Sequence, residues 1–448
     1  MDISGTITPE KTKDSIDKLR MRNVFLLSIA FGIDFFGTNA FMNFAVPILG
    51  NLGSICMSIV CFVNVFSNFL VPSVISWFGS PEKSLLWCIA WYMIYVGHFC
   101  FIWTPLQYVV CTIHGFCSAI TFASQGVILG NNSTDENRGK NSGIFISIYM
   151  FGSALGSFAA GYFVKIFNVT HDYHDGWNGG NSLFFLFLGI AAGLATIPIA
   201  FIRHYDPNEN ESQKNLLEAE LTPSDPEAAM STAPTAPVEG QSSVWKILED
   251  MKKVLLCALS PRMALLLCML FYLGYQQVFM MSMFTRQILD LKTVGPLMGL
   301  YSIVDVVFSF IWGWLSDRYG HVTVVTAGVV AGVVGMVVSW FANAEQNWLI
   351  YATGVIMAIS DAGLQTECLS TVNQYFSHDR TNANSVFRMM QSLGFAVSLV
   401  IMPLFISSGS HQSSPAQYLI ELILVFVLCV CAYIGYLVFM CKEKKNSF

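Results

Sequence analysis

The sequence predicts a polytopic α-helical membrane protein with about twelve spanning helices. Three observations predict this fold class. Of the 448 residues, 54% are hydrophobic and 12% are charged, whereas an ordinary soluble domain carries about 25% charged residues. The apolar residues collect in runs of about 20, long enough to cross a hydrocarbon core of about 30 Å as helix. Polar breaks separate these runs along the whole chain.

The runs divide into two sets of six. We therefore predict two six-helix halves, residues 23–203 and 257–440, a division that many secondary transporters share. Tails of residues 1–22 and 441–448 flank them. The predicted spans are 24–48, 54–78, 84–103, 107–129, 142–168 and 182–202, followed by 261–284, 294–315, 322–341, 347–370, 386–407 and 417–440.

Positive charges orient the bundle, because cytoplasmic loops keep an excess of Lys and Arg. With both termini inside, all but three of the 23 Lys and Arg residues fall in inner segments. The exceptions are Lys165, Arg286 and Lys292. We predict an integral membrane protein with both termini in the cytoplasm, in either the plasma membrane or an endomembrane.

The stretch between the halves has two parts. Residues 204–243 are rich in Glu, Pro, Ser, Thr and Ala, which predicts a disordered acidic cytoplasmic loop. In residues 244–256, apolar positions recur every three or four residues opposite charged ones, which predicts an amphipathic helix lying on the inner membrane face. A plain start to the seventh span is the alternative. The net charge of −6 comes largely from this loop and gives no support to nucleic-acid binding.

The loop after the eighth predicted span reads G-W-L-S-D-R-Y-G from Gly313 to Gly320. A glycine permits close helix approach, Asp317 can accept from a neighbouring helix N-terminus, and Arg318 can pair with another helix. Such contacts would form a cytoplasmic conformational latch. The pattern G-x-L-x-D-R-x-G resembles the signature loop of the major facilitator superfamily, and an ordinary polar turn is the alternative. The corresponding loop of the first half, residues 76–83, lacks the Asp-Arg pair.

A second resemblance concerns one branch of that superfamily. The motifs are A-S-Q-G-V-I-L-G at 123–130, R-G-K-N-S-G-I-F at 138–145, S-D-A-G-L-Q-T at 360–366 and M-M-Q-S at 389–392. They resemble the Unc-ninety-three-like branch, with Arg138, Gly139, Lys140 and Asn141 as the most specific piece. The resemblance implies major facilitator architecture and functions that include regulation of potassium channels and receptor trafficking. It does not imply one substrate.

Four acids within predicted spans mark functional candidates, because charge is costly there. Asp34 lies in the first span, Asp305 in the eighth, and both Asp361 and Glu367 lie in the tenth. Burial favours the protonated form of a carboxyl group and would permit proton coupling. No Lys or Arg is expected at the same depth, so the acids must meet polar side chains, water, a solute or a proton. The alternative is hydrogen bonding between helices without a transport role.

Polar side chains on other spans could complete a cavity. His114, Ser118, Thr121 and Gln125 form one stripe on the fourth span, a face that Leu would fill if it met lipid. Hydrogen bonds between helices are the alternative for each residue. The further candidates are Asn64, Asn68, Tyr275, Gln276, Gln365 and Gln391.

Several features narrow the function. The sequence contains no G-x-x-x-x-G-K-[ST] phosphate loop, no H-E-x-x-H and no paired C-x-x-C, so we expect no enzyme, catalytic residue, cofactor, metal site or nucleotide-driven pump. Asn168 lies in a glycosylation sequon on the outer side.

Two functions remain open. One is a secondary transporter that moves a small solute, alone or together with protons, by alternating access. The other is a non-transporting accessory protein that binds a channel or receptor subunit in the lipid bilayer.

Overall fold

The computed structural model describes residues 9–134, 138–171, 173–205, 243–288, 290–342, 347–376, 380–401 and 414–446. These residues are almost wholly helical, and two short strands pair antiparallel. The predicted disordered loop falls mostly on residues 206–242, which lie outside the described residues. The elements are α1 Pro9–Ser67, α2 Val71–Phe78, α3 Pro81–Gly97, β1 Phe101–Ile102, α4 Thr104–Asn131, α5 Arg138–Ile166, β2 Gly176–Trp177, α6 Gly180–Gly193, α7 Thr196–Ala200, α8 Ser243–Leu259, α9 Pro261–Val278, α10 Thr285–Gln287, α11 Leu291–Tyr319, α12 His321–Phe341, α13 Asn347–Tyr375, α14 Arg380–Ile401 and α15 Pro415–Asn446.

Helix α1 consists of two helices that meet at Gly50. Its apolar part, Ile16–Ser67, has 52 residues and would measure about 78 Å if straight, more than twice a hydrocarbon core. Gly50 has φ 53° and ψ −125°, outside the helical region, a conformation that glycine adopts without steric cost. A Cβ on Gly53 would lie 2.4 Å from the carbonyl oxygen of Ala45, so the chain returns tightly. The two parts correspond to the first two predicted spans.

Membrane residence is confirmed by the helices themselves. In the described part of the chain, nine helices are long and apolar enough to cross a membrane, with α1 counted once. Helix α3 has 17 residues and is shorter than these. The total of twelve spans stays a prediction.

Helix α8 is separate from the span that follows it. It ends at Leu259, and Ser260 has an extended backbone and accepts a hydrogen bond from the backbone N–H of Met263. This is an N-cap, the signal that starts a new helix. Leu255 and Leu256 are exposed, whereas Val254 is buried. The alternative of a plain start to the seventh span does not describe this geometry.

Helices α1 to α7 form the first half of the molecule, and α8 to α15 form the second. Within the first half, α5 packs closely on α1: a Cβ on Gly152 would lie 2.0 Å from the carbonyl oxygen of Gly32, and one on Gly156 would lie 2.1 Å from that of Phe36. Small residues permit this approach. Between the halves, a Cβ on Gly161 of α5 would lie 3.1 Å from the Cα of Gly295 in α11.

Hydrogen bonds between the two halves extend from the end that carries Gly50, here called the Gly50 end, to the middle of the bundle, and α2 of the first half also contacts α8. Arg286 donates to Asn51 at 3.4 Å near Gly50. Ser58 donates to the carbonyl oxygen of Ala396 at 3.5 Å, and Ser392 donates to Asn64 at 3.3 Å deeper in the bundle. The opposite end carries the loop Asp317–Gly320 and is called the loop end.

Candidate functional site

A set of connected polar side chains in the second half surrounds Asp361 of α13. Gln277 donates to both carboxylate oxygens at 3.1 Å, and the Tyr301 hydroxyl donates to Oδ2 at 2.9 Å. The amide of Gln391 donates to Gln277 at 3.1 Å and to Gln365 at 3.0 Å. These five residues, called the central network, come from four different helices.

The central network continues toward the first half along α14. Ser392, next to Gln391, donates to Asn64 at 3.3 Å. The Asn64 amide donates to the Ser118 hydroxyl at 3.3 Å, and Asn68 donates to the Asn64 side chain at 3.1 Å. A line of polar groups therefore crosses from α13 through α14 to α4, between helices that belong to different halves.

An arginine lies near the central network, although the sequence analysis expected no Lys or Arg at the depth of the intramembrane acids. Arg388 of α14 donates to the Oε1 atom of Gln391 at 3.3 Å. Gln391 in turn donates to Gln277, which donates to Asp361. The sequence argument failed because Arg388 lies close to a predicted span boundary and was counted with the inner charges. Its side chain is exposed although its helix crosses the membrane.

Asp34 of α1 has quite different surroundings. Its side chain is fully buried, and Oδ1 accepts a hydrogen bond from Thr38 at 3.0 Å. The Oδ2 atom has no hydrogen-bond partner within the described chain. Asp34 also interacts electrostatically with Tyr92 of α3.

Three members of the stripe predicted on α4 are buried and lie against Tyr92 of α3, namely His114, Ser118 and Thr121. The His114 ring stacks on Tyr95 with centroids 3.5 Å apart and meets the Tyr92 ring edge-on at 4.5 Å. The hydroxyl of Thr121 is buried beside the hydroxyl of Tyr92. Ser118 is thus the member of the stripe that joins the other half through Asn64.

Several candidates lie apart from the central network. Gln276 is buried and donates to Ser360 at 3.0 Å, while Tyr275 packs against Phe271. Gln125 is partly exposed. Asp305 of α11 is partly exposed and interacts electrostatically with Asp361.

Sequence reasoning missed Gln277 and the role of Tyr301. Gln276 and Gln277 are adjacent and differ in direction by about 100° around a helix, so composition alone could not decide which one faces Asp361. Tyr301 lies one helical turn before Asp305 in the sequence, yet its hydroxyl reaches Asp361 on another helix.

The proposed latch residues lie at the boundary of α11 and α12. Gly320 has φ 85° and ends α11. The Arg318 guanidinium lies over the rings of Trp314 and Tyr319 of its own helix, at 5.6 and 5.7 Å from their centroids. A Cβ on Gly313 would meet nothing within 4 Å, so Gly313 mediates no close helix contact in this conformation. The side chain of Asp317 is outside the described residues.

A histidine beside this loop contacts the fourth intramembrane acid. His321 begins α12, and its Nδ1 lies 2.6 Å from Oε2 of the buried Glu367 and 2.9 Å from the Ser316 hydroxyl. These contacts tie the end of α11 to α13. They position the loop without involving the central network.

Residues 138–141, the most specific part of the resemblance to the Unc-ninety-three-like branch, lie at the start of α5. Asn141 is buried and donates to the Ser133 hydroxyl at 3.0 Å, which joins the start of α5 to the end of α4. Asn132, in the same turn, accepts from Asn23 of α1 at 3.0 Å. The side chains of Arg138 and Lys140 lie outside the described residues, as does any contact Gly139 makes there.

Two remaining predictions concern metals and glycans. Within the described ranges, no group of three or more His, Cys, Asp or Glu residues is arranged to hold a metal ion. Asn168 is exposed two residues after the end of α5. Its glycosylation stays a prediction.

Two packed helical halves with a polar network between them define a membrane protein of the major facilitator fold, and solved structures agree. The nucleoside transporter NupG superposes with a TM-score of 0.64 at 12% identity, over 93% of this chain and 99% of that one. The peptide transporter POT in complex with sulfate gives 0.61 at 11% identity, over 95% and 94%. These likenesses show the fold.

The family follows from the sequence comparisons. The model of the family "Ion channel regulatory protein UNC-93" matches residues 48–437, so the chain belongs to the UNC-93 family. UNC93-like protein 3 of Arabidopsis thaliana is 22% identical over 88% of this chain and 83% of its own length. UNC93-like protein MFSD11 of Xenopus laevis is 23% identical over 86% and 90%.

Proposed function

We propose that this protein is a secondary transporter that moves a small solute by alternating access, with the central network as part of its binding site. One observation carries the proposal: polar side chains from both halves meet in the middle of the bundle, at the place where relative motion of the halves would expose them. Transporter folds place their solute sites at this depth.

The contacts between the halves support an assignment of the conformation. They extend from Arg286 and Asn51 at the Gly50 end to Asn64 and Ser392 at mid-depth. The exposed Arg388 lies on the loop-end side of these contacts. We assign this conformation as closed at the Gly50 end and open at the loop end, with the loop end and both termini in the cytoplasm.

The latch belongs to the opposite conformation in this proposal. Arg318 contacts rings of its own helix, and Gly313 faces open space, as expected if the loop end is separated here. Closing that end would bring Asp317, Arg318 and the start of α5 toward other helices. Proton coupling through Asp34, Asp305 and Asp361 is part of the same proposal, as is the absence of an enzymatic role.

Cysteine labelling tests alternating access without knowledge of the solute. Tyr149→Cys places a thiol on α5, in electrostatic reach of Arg388. A membrane-impermeant maleimide should label it from each side of oriented vesicles, and the parent protein labelled in parallel gives the background of native cysteines. Oxidative cross-linking of Ser58→Cys with Ala396→Cys should abolish labelling from the Gly50 side alone. Absence of any labelling from that side before cross-linking would rule out alternating access.

The family description favours a second function, regulation of an ion channel or a receptor as an accessory subunit. The two functions differ in what copurifies with the protein. Purification from native membrane in mild detergent, followed by mass determination, should yield the chain alone if it is a transporter. A stoichiometric channel or receptor subunit would favour the accessory role, whose compartment and partner would then be identified together.

A further inference from the structure

Arg388 is an unusual residue for its position. It lies eight residues after the start of α14, about 12 Å along the helix, and a charge in a spanning segment is costly unless it serves a pathway or a partner. Its side chain is nevertheless exposed. Because the next turn of the same helix carries Ser392, which contacts the other half, the exposed guanidinium faces the space between the halves and not the lipid.

Most hydrogen-bonding capacity of this guanidinium is unused. It has five N–H donors, and within the described chain one bond is found, from Nη1 to Gln391 at 3.3 Å. No described carboxylate forms an ion pair with it. Asp361, the nearest acid along the network, already accepts from Gln277 and Tyr301.

The guanidinium is held in place by neighbours that do not neutralise it. Gln391 is fixed by its own donation to Gln277 and Gln365, so the oxygen that it presents to Arg388 is oriented. The Phe387 ring lies 5.6 Å from the Arg388 Cζ atom. Across the space between the halves, Tyr149 of α5 interacts electrostatically with Arg388. The result is an oriented cation with Tyr149 of the other half within its electrostatic reach.

We propose that Arg388 is the anion-recognition residue of this cavity and that the transported solute carries a carboxylate or phosphate group. This inference rests on the proposed transport function. A planar guanidinium with free adjacent donors matches an oxyanion in bidentate geometry, which a compact ammonium does not. Tyr149 contacts the same oxyanion from the first half, so anion binding bridges the two halves.

Charge-selective modification of Tyr149→Cys tests the proposal. The thiol is treated with sulfonatoethyl methanethiosulfonate, which is anionic, and with the trimethylammonium analogue, which is cationic. The rate of each reagent is divided by the rate of the same reagent with free mercaptoethanol. The anionic reagent should react preferentially, and Arg388→Gln should lower the ratio roughly 10-fold, as expected for one unit charge at short range. Arg388→Lys should keep most of the preference. If Arg388 is present and the normalised rate of the anionic reagent does not exceed that of the cationic reagent, the proposal is overturned. This outcome can be measured even if Arg388→Gln does not fold.

Competition identifies the anion class. In nanodiscs of neutral lipid alone, which remove anionic headgroups as a source, benzoate or phenyl phosphate should slow the labelling, and the neutral isostere benzamide should not. The protection should be lost in Arg388→Gln. Protection that appears only when anionic lipid is added would show that a headgroup occupies the site and would overturn the solute assignment. Labelling from both membrane sides without charge preference would leave transport standing and remove anion recognition.

Discussion

Asp34 of the first half and Asp361 of the second half are held in opposite ways. Asp361 accepts three hydrogen bonds from side chains on two other helices, whereas Asp34 accepts one, from Thr38 on its own helix, and keeps one oxygen without a partner in the described chain. Asp361 therefore depends on the arrangement of α9, α11 and α13. The hydrogen bond that Asp34 accepts lies within α1, so movements between helices need not break it.

This difference separates two roles that a buried acid can have. An acid satisfied from several helices contributes to their packing, and its removal leaves donors without acceptors, which costs more than the bond itself contributes. A buried acid with an unpartnered oxygen lowers the stability of the fold, and that oxygen is available to exchange a proton or bind a solute. We expect stability measurements and flux measurements to rank the two residues in opposite order.

The largest effect should come from the helix contact that assembles the second-half network. A Cβ on Gly274 would lie 1.9 Å from the backbone oxygen of Gln391, so Gly274→Leu must separate α9 from α14 and part Gln277 from Gln391. Overpacking of this kind costs about 3 kcal/mol or more where backbone is in the way. A strong fall in thermal stability in detergent is expected, while the matched control Gly313→Leu, which faces open space, should stay near the parent.

Removal of Asp361 should have the next largest effect on stability. Asp361→Ala leaves the amide of Gln277 and the hydroxyl of Tyr301 without their acceptor, at a cost of about 1–3 kcal/mol. Asp361→Asn keeps one acceptor oxygen and should lose less. Thermal unfolding of purified protein measures the difference, and equal stability for the alanine variant and the parent would contradict a packing role.

Asp34→Asn should behave differently. Only the bond from Thr38 is affected, and an amide avoids the burial of a charged oxygen, so the thermal stability should stay within about 1 kcal/mol of the parent or rise. Once an anionic solute is identified, its flux should nevertheless be abolished at unchanged surface abundance. Unchanged flux would remove Asp34 from the mechanism, and a large loss of stability would contradict its local setting.

Sequence reasoning reached the fold more completely than the site. Hydrophobic runs predicted helices with nearly the observed bounds, including the start of α12 near residue 322 and its end at Phe341, because spanning helices are specified locally by composition. The separate helix α8 followed from its periodicity.

The site was harder to predict because hydrogen bonds depend on side-chain direction and on which helices are neighbours. The cavity candidates Asp361, Gln365 and Gln391 are joined by hydrogen bonds through Gln277, whereas the sequence analysis named its neighbour Gln276. Arg388 was assigned to the charges outside the core. Hydropathy could not correct either error. The choice between Gln276 and Gln277 depends on how the helix is rotated about its axis, and the placement of Arg388 depends on where the membrane boundary crosses its helix.

The smallest effect on stability should come from the loop of the second half, which tests whether the latch is absent from this conformation. Arg318 is exposed and contacts rings of its own helix, so Arg318→Gln should change thermal stability by less than about 0.5 kcal/mol. If Arg318 stabilises the conformation closed at the loop end, the same variant should shift the equilibrium toward the one described here. Tyr149→Cys should then be labelled faster from the loop end and more slowly from the Gly50 end. Equal rates in Arg318→Gln and the parent would mean that closure does not use this arginine.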